Sequence, residues 1–66
     1  MNIGKNIKEL RKENGLTQTQ LADLLFVSQD TVSLWECGKS LPDVKALIAM
    51  TKIFGVSADY ILDIEK

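Results

Sequence analysis

The 66-residue chain predicts an all-α fold of five short helices, and three observations carry that expectation. Apolar residues recur at helical spacings along nearly the whole length. Three of the four glycines fall where helices would end. No run alternates apolar and polar residues as a half-buried strand would. Ile3, Ile7 and Leu10 stand at i, i+4 and i+7, one stripe of an amphipathic first helix, and Asn14-Gly15 stops it. Thr17 reads as the N-cap of the second helix, with Gln20 three residues on to close a capping box. That helix turns Leu21, Leu24 and Leu25 inward. Ser28 is the next N-cap candidate, Val32 and Trp35 form the inner face of the third helix, and Gly38 follows its end.

Pro42-Asp43 opens a fourth helix, with Asp43 as cap or first-turn acid. Val44, Leu47, Ile48, Thr51 and Phe54 follow at helical spacing until Gly55. Ser57 starts a short fifth helix that carries Tyr60, Ile61, Leu62 and Ile64. The single proline lies at a boundary and breaks no helix.

Length leaves room for one domain, residues 1–66, and such a chain buries only roughly 60% of its unfolded surface. Small domains of this size often draw further stability from a partner subunit. Cys37 is the only cysteine, so no disulfide forms within the chain. The lone thiol and the lack of a signal-like start point to a reducing cytoplasm. Apolar runs of only a few residues exclude a membrane span. There is no histidine, no second cysteine for a metal site, no glycine-rich phosphate loop and no evident carboxylate pair. Catalysis, a metal and a cofactor are therefore not expected. The net charge of −1 is unusual for a nucleic-acid binder, but the charges are segregated. Lys5, Lys8, Arg11 and Lys12 crowd the first twelve residues, whereas Asp59, Asp63 and Glu65 gather near the end. That polarity allows one positive and one negative face.

The segment Thr17–Lys39 is the most informative part of the chain. Ala22 sits between Leu21 and Leu25, where two helices crossing steeply need a small side chain to approach. Leu21, Leu25, Val27, Val32 and Trp35 supply the shared core. Gln29, Asp30, Thr31, Ser33 and Leu34 are left to face outward on the helix over about 28–37. Two helices at a tight turn, the second presenting short polar side chains, are what reading the DNA major groove requires.

In order along the chain stand Ile7-Lys8-Glu9-Leu10-Arg11, Leu16-Thr17-Gln18, Gln20-Leu21-Ala22, Val27-Ser28, Val32-Ser33, Trp35-Glu36, Gly38-Lys39, Pro42 and Phe54-Gly55-Val56-Ser57-Ala58-Asp59-Tyr60. With these pieces the chain resembles the Cro/C1-type helix-turn-helix family, the lambda-repressor-like DNA-binding domains, over essentially its whole length and with the motif at about 17–38. The resemblance implies a compact five-helix domain and a sequence-specific DNA-binding regulator, most simply a repressor. It implies that Gln18 contacts phosphate and braces a base-reading side chain, that Ser28, Gln29, Asp30, Thr31, Ser33 and Leu34 occupy the reading helix, and that Lys39 contacts phosphate. Gln29 is the leading base reader, since an amide bonds adenine N6 and N7 together, and Leu34 suits a thymine methyl. Arg11 and Glu36 match a structural ion pair joining the first helix to the end of the third. The expected partners are double-stranded DNA with a pseudo-palindromic operator and a second copy of the chain. Ala58, Ile61 and Ile64, at i, i+3 and i+6, are candidates for the dimer surface, although core packing is the more common outcome for such residues, particularly for one of Ile61 and Leu62.

Three positions depart from the family pattern. Phe26 stands where a glycine is usual, which implies backbone strain, a different turn, local packing or a partner contact. Asp30 is an acid on the face meant for DNA; it could accept from a cytosine N4, and it also suits the helix dipole. Cys37 replaces a polar or basic residue. The acidic balance, Asp30 and the absence of Arg or Lys on the reading helix keep a second function in view: a protein-interaction or antitoxin-like module on the same fold.

Overall fold

A computed structural model describes residues 2–64. The chain forms α1 (Ile3–Glu13), α2 (Gln18–Leu25), α3 (Gln29–Cys37), α4 (Val44–Phe54) and α5 (Ala58–Leu62), with no strand among the described residues. The five-helix, all-α expectation holds. Helix α3 packs against both α1 and α2, α5 closes against α1 and α4, and α4 touches α2. One core joins them, with Ile7, Leu21, Val32, Met50 and Ile61 fully enclosed. The helix α1 stripe Ile3, Ile7 and Leu10 is buried as its spacing predicts.

Local chemistry sets the helix boundaries. Thr17 Oγ1 accepts from the Gln20 N–H at 3.0 Å while Gln20 Oε1 accepts from the Thr17 N–H at 2.9 Å, a complete capping box. Ser28, Asp43 and Ser57 cap the later helices in the same sense, each accepting from the N–H three residues on.

Three apolar expectations need correction. Leu24, expected inward, is 49% exposed on α2, because the core is already met by Leu21, Ala22 and Leu25. On α4, Val44 and Ile48 face solvent, and the buried positions are Ala46 and Met50, with Leu47, Ala49, Ile53 and Phe54 packed partly against the core. Lys45, Thr51 and Lys52 mark the outer side of α4, and the apolar Val44 and Ile48 share that side, so the spacing of apolar residues alone does not choose the inner face. Ile61, expected on a dimer surface, is fully buried. Helix α5 ends at Leu62 and Asp63 turns left-handed (φ 59°), so Ile64 does not continue a stripe from Ala58 and Ile61.

Phe26 occupies the left-handed region at φ 60°, ψ 40° and closes α2 in the way glycine usually does. Its N–H bonds the Asp23 carbonyl and the Val27 N–H bonds that of Ala22, the paired bonds of a Schellman end. The ring is 95% exposed. Local packing therefore does not explain the residue, and the backbone cost is uncompensated within the chain. A side chain in this region costs roughly 1–2 kcal/mol, offset in glycine by about 0.5–1 kcal/mol of extra chain entropy. Phe26→Gly is expected to raise the melting temperature by several degrees, as measured by circular dichroism; a lower melting temperature would assign the ring a packing role.

Candidate nucleic-acid interface

The outward face of α3 starts at its N-cap. Ser28 Oγ accepts from the Thr31 N–H at 3.2 Å and lies 2.9 Å from Thr31 Oγ1. Ser28 and Thr31 are thus engaged in shaping the helix start. Gln29 and Asp30 occupy the first turn and are exposed, whereas Thr31 and Ser33 are half-buried. Leu34 lies one turn further along and is exposed. Asp30 is the only acid in that first turn, where the positive end of the helix dipole accommodates it. Lys39 follows Gly38, the left-handed residue that ends α3, and the Lys39 backbone N–H is tied to the Leu34 carbonyl at 3.0 Å. Its side chain reaches solvent from a fixed point.

Beneath this face runs a continuous hydrogen-bonded chain through three helices. Arg11 on α1 grips Glu36 on α3 with two bonds, Nε to Oε2 at 2.7 Å and Nη2 to Oε1 at 3.1 Å. Arg11 Nη1 donates to the Leu16 carbonyl at 2.8 Å, so the guanidinium also pins the approach to α2. The pair's side chains are 10% and 4% exposed, close to core values. Gln18, at the first position of α2, donates from Nε2 to Glu36 Oε1 at 3.0 Å. Its Oε1 then accepts from Gln29 Nε2 at 2.8 Å. The base-reading candidate is thereby joined to the buried ion pair through one intervening amide.

Burial alone would raise the Glu36 carboxyl. Hydrogen bonds from Arg11 and Gln18, with the positive charges of Arg11 and Lys8, outweigh it and hold the pKa below the ordinary glutamate value. Glu36 is ionised at neutral pH, and the Arg11 fork has a full carboxylate to meet.

The sequence-expected residues fall into three groups. Gln18, Gln29, Arg11 and Glu36 are linked directly, and Ser28 and Thr31 are linked to each other. Asp30, Ser33, Leu34 and Lys39 share α3 and its end without side-chain bonds to that chain. Gly4 and Asn6 are two contributors that sequence reasoning missed. Asn6 Nδ2 donates to the carbonyls of Tyr60 (3.2 Å) and Ile61 (3.3 Å), tying α1 to α5. Gly4 lies against the carbonyls of Trp35 and Glu36 where α1 meets the end of α3. A glycine inside a helical pattern was the available signal.

Among the described residues no helix is long and apolar enough to cross a membrane, and no cluster of His, Cys, Asp or Glu could hold a metal ion. Cys37 is exposed and free.

The helix-turn-helix family model matches residues 7–61. Over its full length the chain is 38% identical to an HTH-type transcriptional activator, BcrR of Enterococcus faecalis, covering 32% of that protein. It is 40% identical over 62 residues to the HTH-type transcriptional regulator DicA of Escherichia coli, covering 94% of this chain and 46% of DicA. Among solved structures, the P22 c2 repressor in complex with a synthetic operator superposes with a TM-score of 0.86 at 30% identity, over 92% of each chain. The chain spans between 32% and 56% of the length of the first curated relatives it matches.

Proposed function

Because the chain belongs to the Cro/C1-type helix-turn-helix family, we propose that it is a sequence-specific DNA-binding transcriptional regulator that reads the major groove with α3. The carrying observation is the bond from Gln29 to Gln18, which holds an amide at the exposed start of α3 in a fixed direction. A free glutamine would lose side-chain entropy on meeting a base; this one has lost much of it already. Gln29 reads a base edge, Leu34 offers a methyl contact, and Gln18, Lys39 and the α2 start hold phosphates. Asp30 serves the helix start more than the groove. Likeness to a repressor seated on operator DNA supports this reading, and a repressor is its simplest form.

The chain acts in the cytoplasm as a two-fold dimer on a pseudo-palindrome, its reading helices roughly 34 Å apart. With Ile61 in the core, the dimer surface expected near α5 reduces to half-buried Ala58 and exposed Ile64. It is a binding domain and not an enzyme.

One observation favours a protein partner as a second reading. Leu24 and Phe26 expose apolar surface beside a shallow groove shared with Lys45, Ala46 and Ala49. Titration with random-sequence duplex DNA at 50 and 200 mM salt separates the two. Phosphate contacts release counterions, so affinity is expected to fall by an order of magnitude or more across that range. No binding at the lower salt would leave the protein-interaction reading in its place.

A further inference from the structure

We propose that Glu36, which does not face DNA, is a positioning residue for base choice: its carboxylate fixes the order of donor and acceptor on the outer edge of the Gln29 amide. The proposal rests on the DNA-binding reading above.

An ionised carboxylate accepts hydrogen bonds and donates none. Gln18 therefore meets Glu36 with its N–H, at 3.0 Å, and its oxygen is turned the other way. That oxygen can only accept, so Gln29 meets it with an N–H, at 2.8 Å. Gln29 retains one N–H and its Oε1 for a ligand, in a sequence set two residues away. Adenine offers the matching edge in the major groove, an N7 acceptor beside an N6 donor, whereas guanine offers two acceptors. An amide alone can rotate by half a turn and exchange donor for acceptor. Gln18 and Gln29 do not have that freedom while Glu36 stays charged, and the Arg11 fork at 2.7 and 3.1 Å keeps the carboxylate in place. The buried pair thus acts on specificity as well as on stability.

Site selection from a random duplex pool, run with wild type, Gln29→Ala, Glu36→Gln and Gln18→Met, tests this. Gln29→Ala identifies the base position that Gln29 reads. At that position wild type is expected to select adenine, and both Glu36→Gln and Gln18→Met to lose the preference about tenfold, near the value of one bidentate contact, while other positions keep theirs. Gln18→Met leaves the Arg11–Glu36 pair intact, so it reports even if Glu36→Gln folds poorly. In the free protein, Glu36→Gln is expected to shift the side-chain amide resonances of Gln29, although residue 36 does not touch it. An unchanged adenine preference in either variant, or unmoved Gln29 amide resonances in Glu36→Gln, overturns the relay alone. A wild-type pool with no enriched sequence overturns the DNA reading, and with it any role in base choice.

Discussion

Glu36→Ala is expected to remove about 3–5 kcal/mol of stability, the usual cost of leaving one member of a buried ion pair alone. For 66 residues at roughly 0.05–0.15 kcal/mol each, the whole stability is about 3–10 kcal/mol, so the variant would lose a third or more of it and melt at a far lower temperature. The reason lies in what remains. Arg11, 10% exposed, would keep its bond to the Leu16 carbonyl but lose the carboxylate that neutralises it. Gln18 would lose its acceptor as well. A surface pair would behave differently, since exposed ion pairs contribute about 0–1 kcal/mol. Thermal denaturation followed by circular dichroism distinguishes these, and an unchanged melting temperature would rule out the buried pair.

The same carboxylate gives the fold an acid limit. Glu36 has a folded pKa below its unfolded value, so the folded state binds its proton less readily. Its contribution is complete above the unfolded glutamate value, about 4.3, and is lost as the pH falls through the lower folded value. Glu36→Ala should lack this part of the pH dependence.

Gly4→Ala is expected to cost about 2 kcal/mol or more, against the sign that helix propensity gives. In an open helix the change would stabilise by about 1 kcal/mol. Here a Cβ would lie 2.9 Å from the Glu36 carbonyl oxygen and closer still to that of Trp35. Both obstacles are backbone and cannot rotate aside, so α1 must move off the end of α3, and overpacking of this kind costs about 1–3 kcal/mol. The opposed dipoles of the α1 start and the α3 end would separate too. A fall of roughly 10 °C in melting temperature follows for a domain of this size. A rise would show that the two helices yield cheaply.

Sequence showed the framework because its signals are local. Thr17 with Gln20, Ser28, and the glycines at 15, 38 and 55 each fix a helix end within a few residues of themselves. Arg11 and Glu36 came only through family resemblance, being 25 positions apart. The inner face of α4 is masked by Val44 and Ile48, apolar residues that share the outer side with Lys45 and Lys52; the lysines, not the apolar spacing, mark which side faces out. Whether Ile61 faced core or dimer was open for a related reason: in a five-residue helix a three-residue spacing cannot separate core from surface. Gly4 and the Gln18–Glu36 bond depend on which backbone or side chain arrives from elsewhere in the chain. Phe26 departs from the family pattern, and its left-handed backbone shows that the turn takes the conformation a glycine favours.

On the proposed function, the face built by Gln18, Gln29, Leu34 and Lys39 meets DNA. The duplex titration followed residue by residue, by amide chemical shifts at low salt, addresses it most directly. The expected result is that shifts concentrate at the starts of α2 and α3 and at Lys39, with the Gln18 and Gln29 side-chain amides among the most affected. Shifts confined to Leu24, Phe26 and the exposed side of α4, or none at all, would contradict it.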